Sequence, residues 1–126
     1  MRDRGVVSGF VVCLALTLAA ASGLAIDAGR IVAAHIEVAD HAENAARLGA
    51  QEVTLIRAGL RVIDPIRARR SARSYLAEHG VEGDVVVNGR SITVTGRRQQ
   101  PTVILQLLGI GLQTTSASRT ATVVPG

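Results

Sequence analysis

Few side chains in this sequence are equipped for chemistry. Histidine occurs three times, as His35, His41 and His79, and cysteine once, as Cys13. On a helix, His41 would share a face with Glu37, four residues earlier, with Asp40 adjacent in sequence. A metal centre needs further nitrogen or sulfur ligands at defined spacing, and no second ligand pair accompanies His41. The expectation is a solvated helix surface with no metal and no cofactor. Ser71 and Ser74 lie among arginines without a base at a useful spacing. No Gly-x-Ser-x-Gly elbow, phosphate-binding glycine loop or paired-histidine motif occurs. Cys13 is alone inside an apolar run, which leaves no disulfide or cysteine metal site within one chain. The Phe10-Val11-Val12 before it lacks the small residues of a lipoprotein signal. Enzymatic activity is therefore not expected.

The element that positions everything else is Gly5–Ile26, a run of 22 residues with no charge. As a helix rising 1.5 Å per residue it spans about 33 Å, close to the hydrocarbon thickness of a bilayer. Arg2 and Arg4 outweigh Asp3 before it, so the positive-inside rule leaves the N-terminus in the cytoplasm and the remainder outside. The run exceeds the 7–15 apolar residues usual for a secretory signal. Weak small-x-small sites at Ala19-Ala20-Ala21 and Gly23-Leu24-Ala25 keep cleavage as the alternative. Gly5, Gly9, Ala15, Ala19 and Gly23 place small residues at mostly four-residue spacing, a face on which another helix could pack closely in lipid.

No proline or turn cluster follows Ile26. The Ala-rich sequel favours helix, and the reading is one helix over residues 5–57. Leu24, Ile31, Val38 and Ala45 repeat every seven residues, with Ala28, Ala42, Gly49 and Ile56 beside them. This amphipathic stripe needs a partner, either the chain's own head or a neighbouring subunit. Asp64-Pro65 reads as an N-cap followed by proline at the first helical position. The helix it starts, Pro65–His79, ends at Gly80. Ile66, Ala72, Tyr75 and Leu76 are its expected buried face. Arg67, Arg69, Arg70 and Arg73 form a basic cluster, either a solvated face or a contact for acidic headgroups or an acidic partner.

Asn88-Gly89 between Asp84-Val85-Val86-Val87 and Ser91-Ile92-Thr93-Val94-Thr95 is a strong hairpin signal. Arg97-Arg98-Gln99-Gln100-Pro101 is expected to end the second strand. Thr102–Leu112 is apolar and too short to span a bilayer. It reads as a short helix covering the sheet, with a place at the membrane surface as the alternative. Thr114–Val124 reads as a third strand. The fold class is α+β. The organisation is a cytoplasmic N-terminus (1–4), a transmembrane helix (5–26), an extracytoplasmic extension (27–60) and a small head (61–126). The net charge is +4, carried by arginine alone among basic residues. With only Phe10 and Tyr75 as aromatics, a stacking platform for single strands and a large ligand pocket are not expected, nor is a nucleic-acid partner.

The N-terminal part resembles the TadE/TadG-like family associated with Flp-type (tight adherence) pilus assembly. Arg4-Gly5, the apolar run, Gly23-Leu24-Ala25-Ile26-Asp27-Ala28-Gly29-Arg30, Ala39-Asp40 and the Ala45-Ala46 … Gly49-Ala50 tail carry the resemblance over about residues 4–52. Its motif residues here are Asp27, Gly29, Arg30 and Asp40. Pro101 and Leu108-Gly109-Ile110-Gly111 look like the short TadE-like proteins of high-GC Gram-positive bacteria, encoded near helicase and secretion or pilus genes. The resemblance implies a pilin-like, non-enzymatic membrane component whose partners are other pilin-like or Tad assembly proteins or a second copy. Ile31, Val38 and Ala45 would make its stripe contacts. The sequence departs from peptidase-processed prepilins, which carry Glu at the fifth mature position; here Phe10 stands fifth after Gly5, and no acid precedes Asp27.

The rival class is a secreted effector or adhesin-like protein released by cleavage of the apolar segment. Intact-mass measurement of the membrane fraction separates the two. Retention of residues 5–26 is expected, and a mature N-terminus beyond Ala19 would sink the anchor.

Overall fold

The computed structural model describes residues 3–54, 59 and 61–124. Helix α1 runs unbroken over Asp3–Gln51. A two-residue ladder follows, in which β1 (Val53–Thr54) pairs with β2 (Val62–Ile63). Next come helix α2 (Pro65–Glu78) and the strands β3 (Glu82–Asn88), β4 (Ser91–Pro101) and β5 (Leu112–Thr122). The three long strands form an antiparallel meander in the order β3-β4-β5. The fold is α+β: a long apolar N-terminal helix with a small head against its outer half.

The stripe's partner is the chain's own head. Ala34, Val38, Ala39, Ala42, Ala45 and Ala46 of α1 are buried with Ala68, Ala72 and Leu76 of α2 and with Val85, Ile92, Val94 and Ala117 of the sheet. Their small size lets backbones approach closely. A methyl group at Gly49 would fall 2.3 Å from Ile92 Cδ1 and 3.2 Å from the Ala68 carbonyl oxygen. One at Gly96 would meet Val38 Cγ1 at 3.2 Å. β4 thus descends along α1, with Ile92 beside Gly49 and Gly96 beside Val38.

The buried face departs from the seven-residue repeat. Val38 and Ala45 lie in the core and Ile31 is half-buried, but Leu24 and Ala28 are exposed. The contact line runs instead through Gly23, Ala34 and Ala45 and through Asp27, Val38 and Gly49, at eleven-residue spacing. A straight α-helix drifts about 20° per heptad, so a seven-residue row rotates away from a straight partner while an eleven-residue row nearly keeps its direction.

Other boundaries differ for local reasons. α1 ends at Gln51 rather than continuing to residue 57, because the β-branched Val53 and Thr54 pair with β2 and Glu52 O accepts from Asp64 N at 2.7 Å. Ile56 lies outside the described residues, as do 55 and 57. Ile66 is 69 % exposed. The buried row of α2 is Ala68, Ala72 and Leu76 at four-residue steps, and Ile66 is two residues, about 200°, away from it. Asp64 caps α2 as expected, accepting from Ile66 N and Arg67 N at 3.0 and 3.1 Å. Gly80 follows the cap residue His79 with φ of 64°. In the first hairpin Asn88 pairs with Ser91, which leaves Gly89-Arg90 as the loop. The loop is thus one residue on from the expected Asn88-Gly89 pair, and Gly89, with φ of 59°, takes its first position, where the left-handed backbone favours glycine.

β4 does not stop at Arg97. It pairs with β5 through Pro101↔Leu112, four pairs past its last partner on β3, Glu82↔Arg97. Beyond Arg97 the sheet is a two-stranded arm. The expected sheet-covering helix is absent: residues 105–108 make a single 3-10 turn at the tip of this arm, with Gly109 at its cap.

Two glycine substitutions in α1 should move stability in opposite directions. Gly49→Val forces Ile92 and the α2 backbone apart and should cost about 1–3 kcal/mol. Gly29→Ala meets nothing within 4 Å and should gain up to about 1 kcal/mol of helix propensity. Thermal unfolding in detergent micelles, followed by circular dichroism, checks both.

Candidate functional site

The most heavily constrained point of the molecule is where α1 leaves its apolar half. Asp27 is 2 % exposed and, among the described residues, is the one carboxylate that is buried. Its Oδ1 accepts from Val103 N at 3.0 Å; its Oδ2 accepts from Ile104 N at 2.7 Å and from Leu105 N at 3.0 Å. These are donors at the start of the 3-10 turn, which that short helix cannot pair internally. A carboxylate facing several backbone N–H groups is stabilised as the anion. The amides of Val103, Leu105 and Ile104 therefore outweigh the burial that opposes ionisation, and with Arg30 nearby they hold Asp27 below the ordinary carboxylate range. One turn earlier, Ile104 lies over Gly23, where a Cβ would fall 2.3 Å from Ile104 Cγ1. Thr102 closes the base of the loop: its hydroxyl donates to the Ile110 carbonyl and its N–H to the Gly111 carbonyl at 3.2 Å.

Gly23 was expected on a helix-packing face; its space is filled by Ile104 of the same chain. Gly5, Gly9, Ala15 and Ala19 lie on the bare part of α1, where residues 5–22 are exposed throughout. Of the motif residues, Asp27 alone is buried. Gly29, Arg30 and Asp40 are exposed. Val38 and Ala45 are covered by the head and leave no surface for a neighbour.

A second clasp lies further out. Arg98 on the arm reaches Glu37 of α1 at 2.8 Å and donates to the His79 carbonyl, at the end of α2, at 2.7 Å. The Arg98 guanidinium, ahead of the His41 contribution, lowers the Glu37 carboxyl below its usual range. His41, Tyr75 and His79 gather beside it. The Tyr75 and His79 rings stack at 4.2 Å, the two imidazole centroids are 4.7 Å apart, and His41 Nδ1 is 3.3 Å from the Tyr75 hydroxyl. Asn44 donates to that hydroxyl at 3.3 Å. Among the described residues no group of three or more His, Cys, Asp or Glu is arranged to hold a metal ion. The cluster therefore reads as a structural seam joining α1, α2 and β4.

The basic cluster sits elsewhere. Arg69, Arg70 and Arg73 line a shallow groove with Ile66 and Ser74 on the outer face of α2. Ala68 packs at Gly49 and Tyr75 at His41 and Asn44. These positions are 14–22 residues past Asp27, or about 21–33 Å along the helix. The cluster thus stands well away from the point where the apolar half ends. No family model, curated protein or solved structure matches the chain.

The clasp at Asp27 should be acid-sensitive. Because folding lowers the Asp27 pKa, its contribution is fully present above the ordinary value of 3.8 and is lost as pH falls through the lowered folded value. Asp27→Asn should remove this acid dependence. It should also raise the hydrogen-exchange rates of the Val103, Ile104 and Leu105 amides by about tenfold or more, since a neutral amide replaces one acceptor oxygen by a donor. Core amides of β4 near Val94 should change far less.

Proposed function

We propose that this chain is a non-enzymatic, single-pass membrane protein of the TadE-like kind, a minor pseudopilin or assembly component. Its N-terminus lies in the cytoplasm and its head outside the cell membrane. The observation that carries the reading is the division of α1. One continuous helix of 49 residues is bare over an apolar half long enough to cross a bilayer, and is clothed by the head over the other half. A long helix with an exposed apolar half and a small α+β head is the division of labour of a pilin-like subunit. The apolar half packs laterally and the head presents a surface.

Cleavage at either weak site would expose the clasp. A cut after Ala21 would leave Gly23 and Asp27 in the first turns of the mature chain, and a cut after Ala25 would remove Gly23, on which Ile104 rests. The interlock favours a retained segment over the secreted rival.

Since Val38 and Ala45 are consumed by the head, lateral contacts with other subunits fall to the bare half of α1, which carries Gly9 and Ala15. A photo-crosslinking amino acid at Gly9 or Ala15 in intact cells should give adducts to the apolar N-terminal segment of another pilin-like protein or of a second copy, identified by peptide mass spectrometry. Adducts to lipid alone at both positions would defeat the assembly role.

A further inference from the structure

The tip of the β4–β5 arm presents its apolar side chains outward. Leu107 is 82 % exposed and Leu108 72 %, with Val103, Ile110 and Leu112 also exposed. A water-facing loop of this length rarely carries such a patch without something to cover it. Three observations point to what covers it. First, the tip's height is fixed by Ile104 on Gly23 and by the three amides on Asp27, which sets it level with the end of the uncharged half of α1. Second, residues 99–118, comprising the lower arm, the tip and the return strand, contain no Asp, Glu, Lys, Arg or His, as Gly5–Ile26 contains none. Charge therefore disappears from the arm and from the helix beside it as both approach the same level. Third, the nearest charges above that level are the exposed Arg30 on the helix and the paired Arg97 and Arg98 on the arm. An arginine just outside an apolar segment is placed to reach lipid phosphates.

We propose that the arm's tip is a second membrane-contact element. Leu107, Leu108 and their neighbours enter the headgroup–acyl boundary of the leaflet from which α1 emerges. The occupant of the patch is the bilayer, continuous with the lipid around the apolar half of the helix. The inference rests on Gly5–Ile26 spanning that bilayer. Three N–H groups that the start of the 3-10 turn would otherwise carry bare into the boundary, those of Val103, Ile104 and Leu105, are already satisfied by Asp27, which lowers the cost of bringing the tip's apolar side chains to the lipid. Asp27 is in turn sheltered beneath the loop that it holds.

The test uses the full chain with Cys13→Ser, reconstituted in vesicles of phosphatidylcholine and phosphatidylglycerol. One nitroxide label is attached at a time, at Leu107→Cys, Val12→Cys or Asn88→Cys. Asn88 marks the opposite end of the sheet, about 34 Å from Pro101 along β4 at 3.4 Å per residue. Collision rates with oxygen, which concentrates in lipid, and with a water-soluble nickel chelate are compared. Expected is oxygen exceeding nickel at Leu107 and Val12, and nickel exceeding oxygen at Asn88. If Leu107 behaves like Asn88 while Val12 stays lipid-exposed, the tip stands in water and the inference is overturned with the membrane span intact. If Leu107 is shielded from both reagents and shows spin–spin broadening that vanishes on dilution with unlabelled chain, a second copy covers the tip, and the inference is again overturned. Nickel access at Val12 would remove the membrane span itself, and the tip's role with it.

Discussion

The structure depends on one carboxylate accepting three backbone N–H groups across 76–78 residues of chain. Asp27 would be a costly group to bury beside an apolar helix if it were alone. The loop Thr102–Gly111 would be equally costly there, with unpaired amides at its turn. Each satisfies the other. The pairing also fixes register: once Val103, Ile104 and Leu105 sit on Asp27, Ile104 falls on Gly23 and the β4–β5 arm is aligned along α1. The rest of the head follows from that alignment, with Gly96 at Val38 and Ile92 at Gly49.

Small side chains make the alignment possible. The α1 face under the head is mostly alanine, with glycine where β4 or α2 comes nearest, and α2 contributes Ala68 and Ala72 in the same way. Such a core gains little per residue from apolar bulk and relies on close backbone contact. Arg98 completes the fastening by joining Glu37 of α1 to the carbonyl of His79, the residue that caps α2. The two clasps, at Asp27 and at Glu37, hold the arm at two heights on one helix.

Local signals made much of this fold legible in the sequence. Asp64-Pro65 and Gly80 bracket α2, Asn88-Gly89 marks the first hairpin, and the uninterrupted Ala-rich run marks α1. These features act within a few residues, where spacing is informative. What escaped depends on distant partners. The arm continues past Arg97-Arg98-Gln99-Gln100 because β5 pairs with it, not because those residues favour a strand. Asp27 was legible as a motif residue at the end of the apolar run, but its task was hidden, because backbone donors carry no side-chain signature. The one available hint was a second charge-free segment, residues 99–118, elsewhere in a basic chain. Ile66 falls off the buried face of α2 because the buried row runs through Ala68, Ala72 and Leu76. The seven-residue stripe failed at its inner end because the loop there seats on Gly23 and Asp27, which continue the eleven-residue rows through Ala34 and Val38 rather than the heptad through Leu24.

The direction of the strands has a consequence for encounters. β4 runs along α1, so a helix standing in a bilayer makes the sheet stand as a wall rather than lie as a lid. The face turned away from the helix is a hydroxyl lattice, with Thr93 bonded to Thr120 at 2.8 Å and Thr95 to Ser118 at 3.1 Å, and the outer edges of β3 and β5 flank it upright. Molecules confined to one membrane diffuse in two dimensions and meet side to side. What each copy presents at such a meeting is this polar wall and its two vertical edges, already oriented before contact, so association would forfeit only the freedom left in the plane.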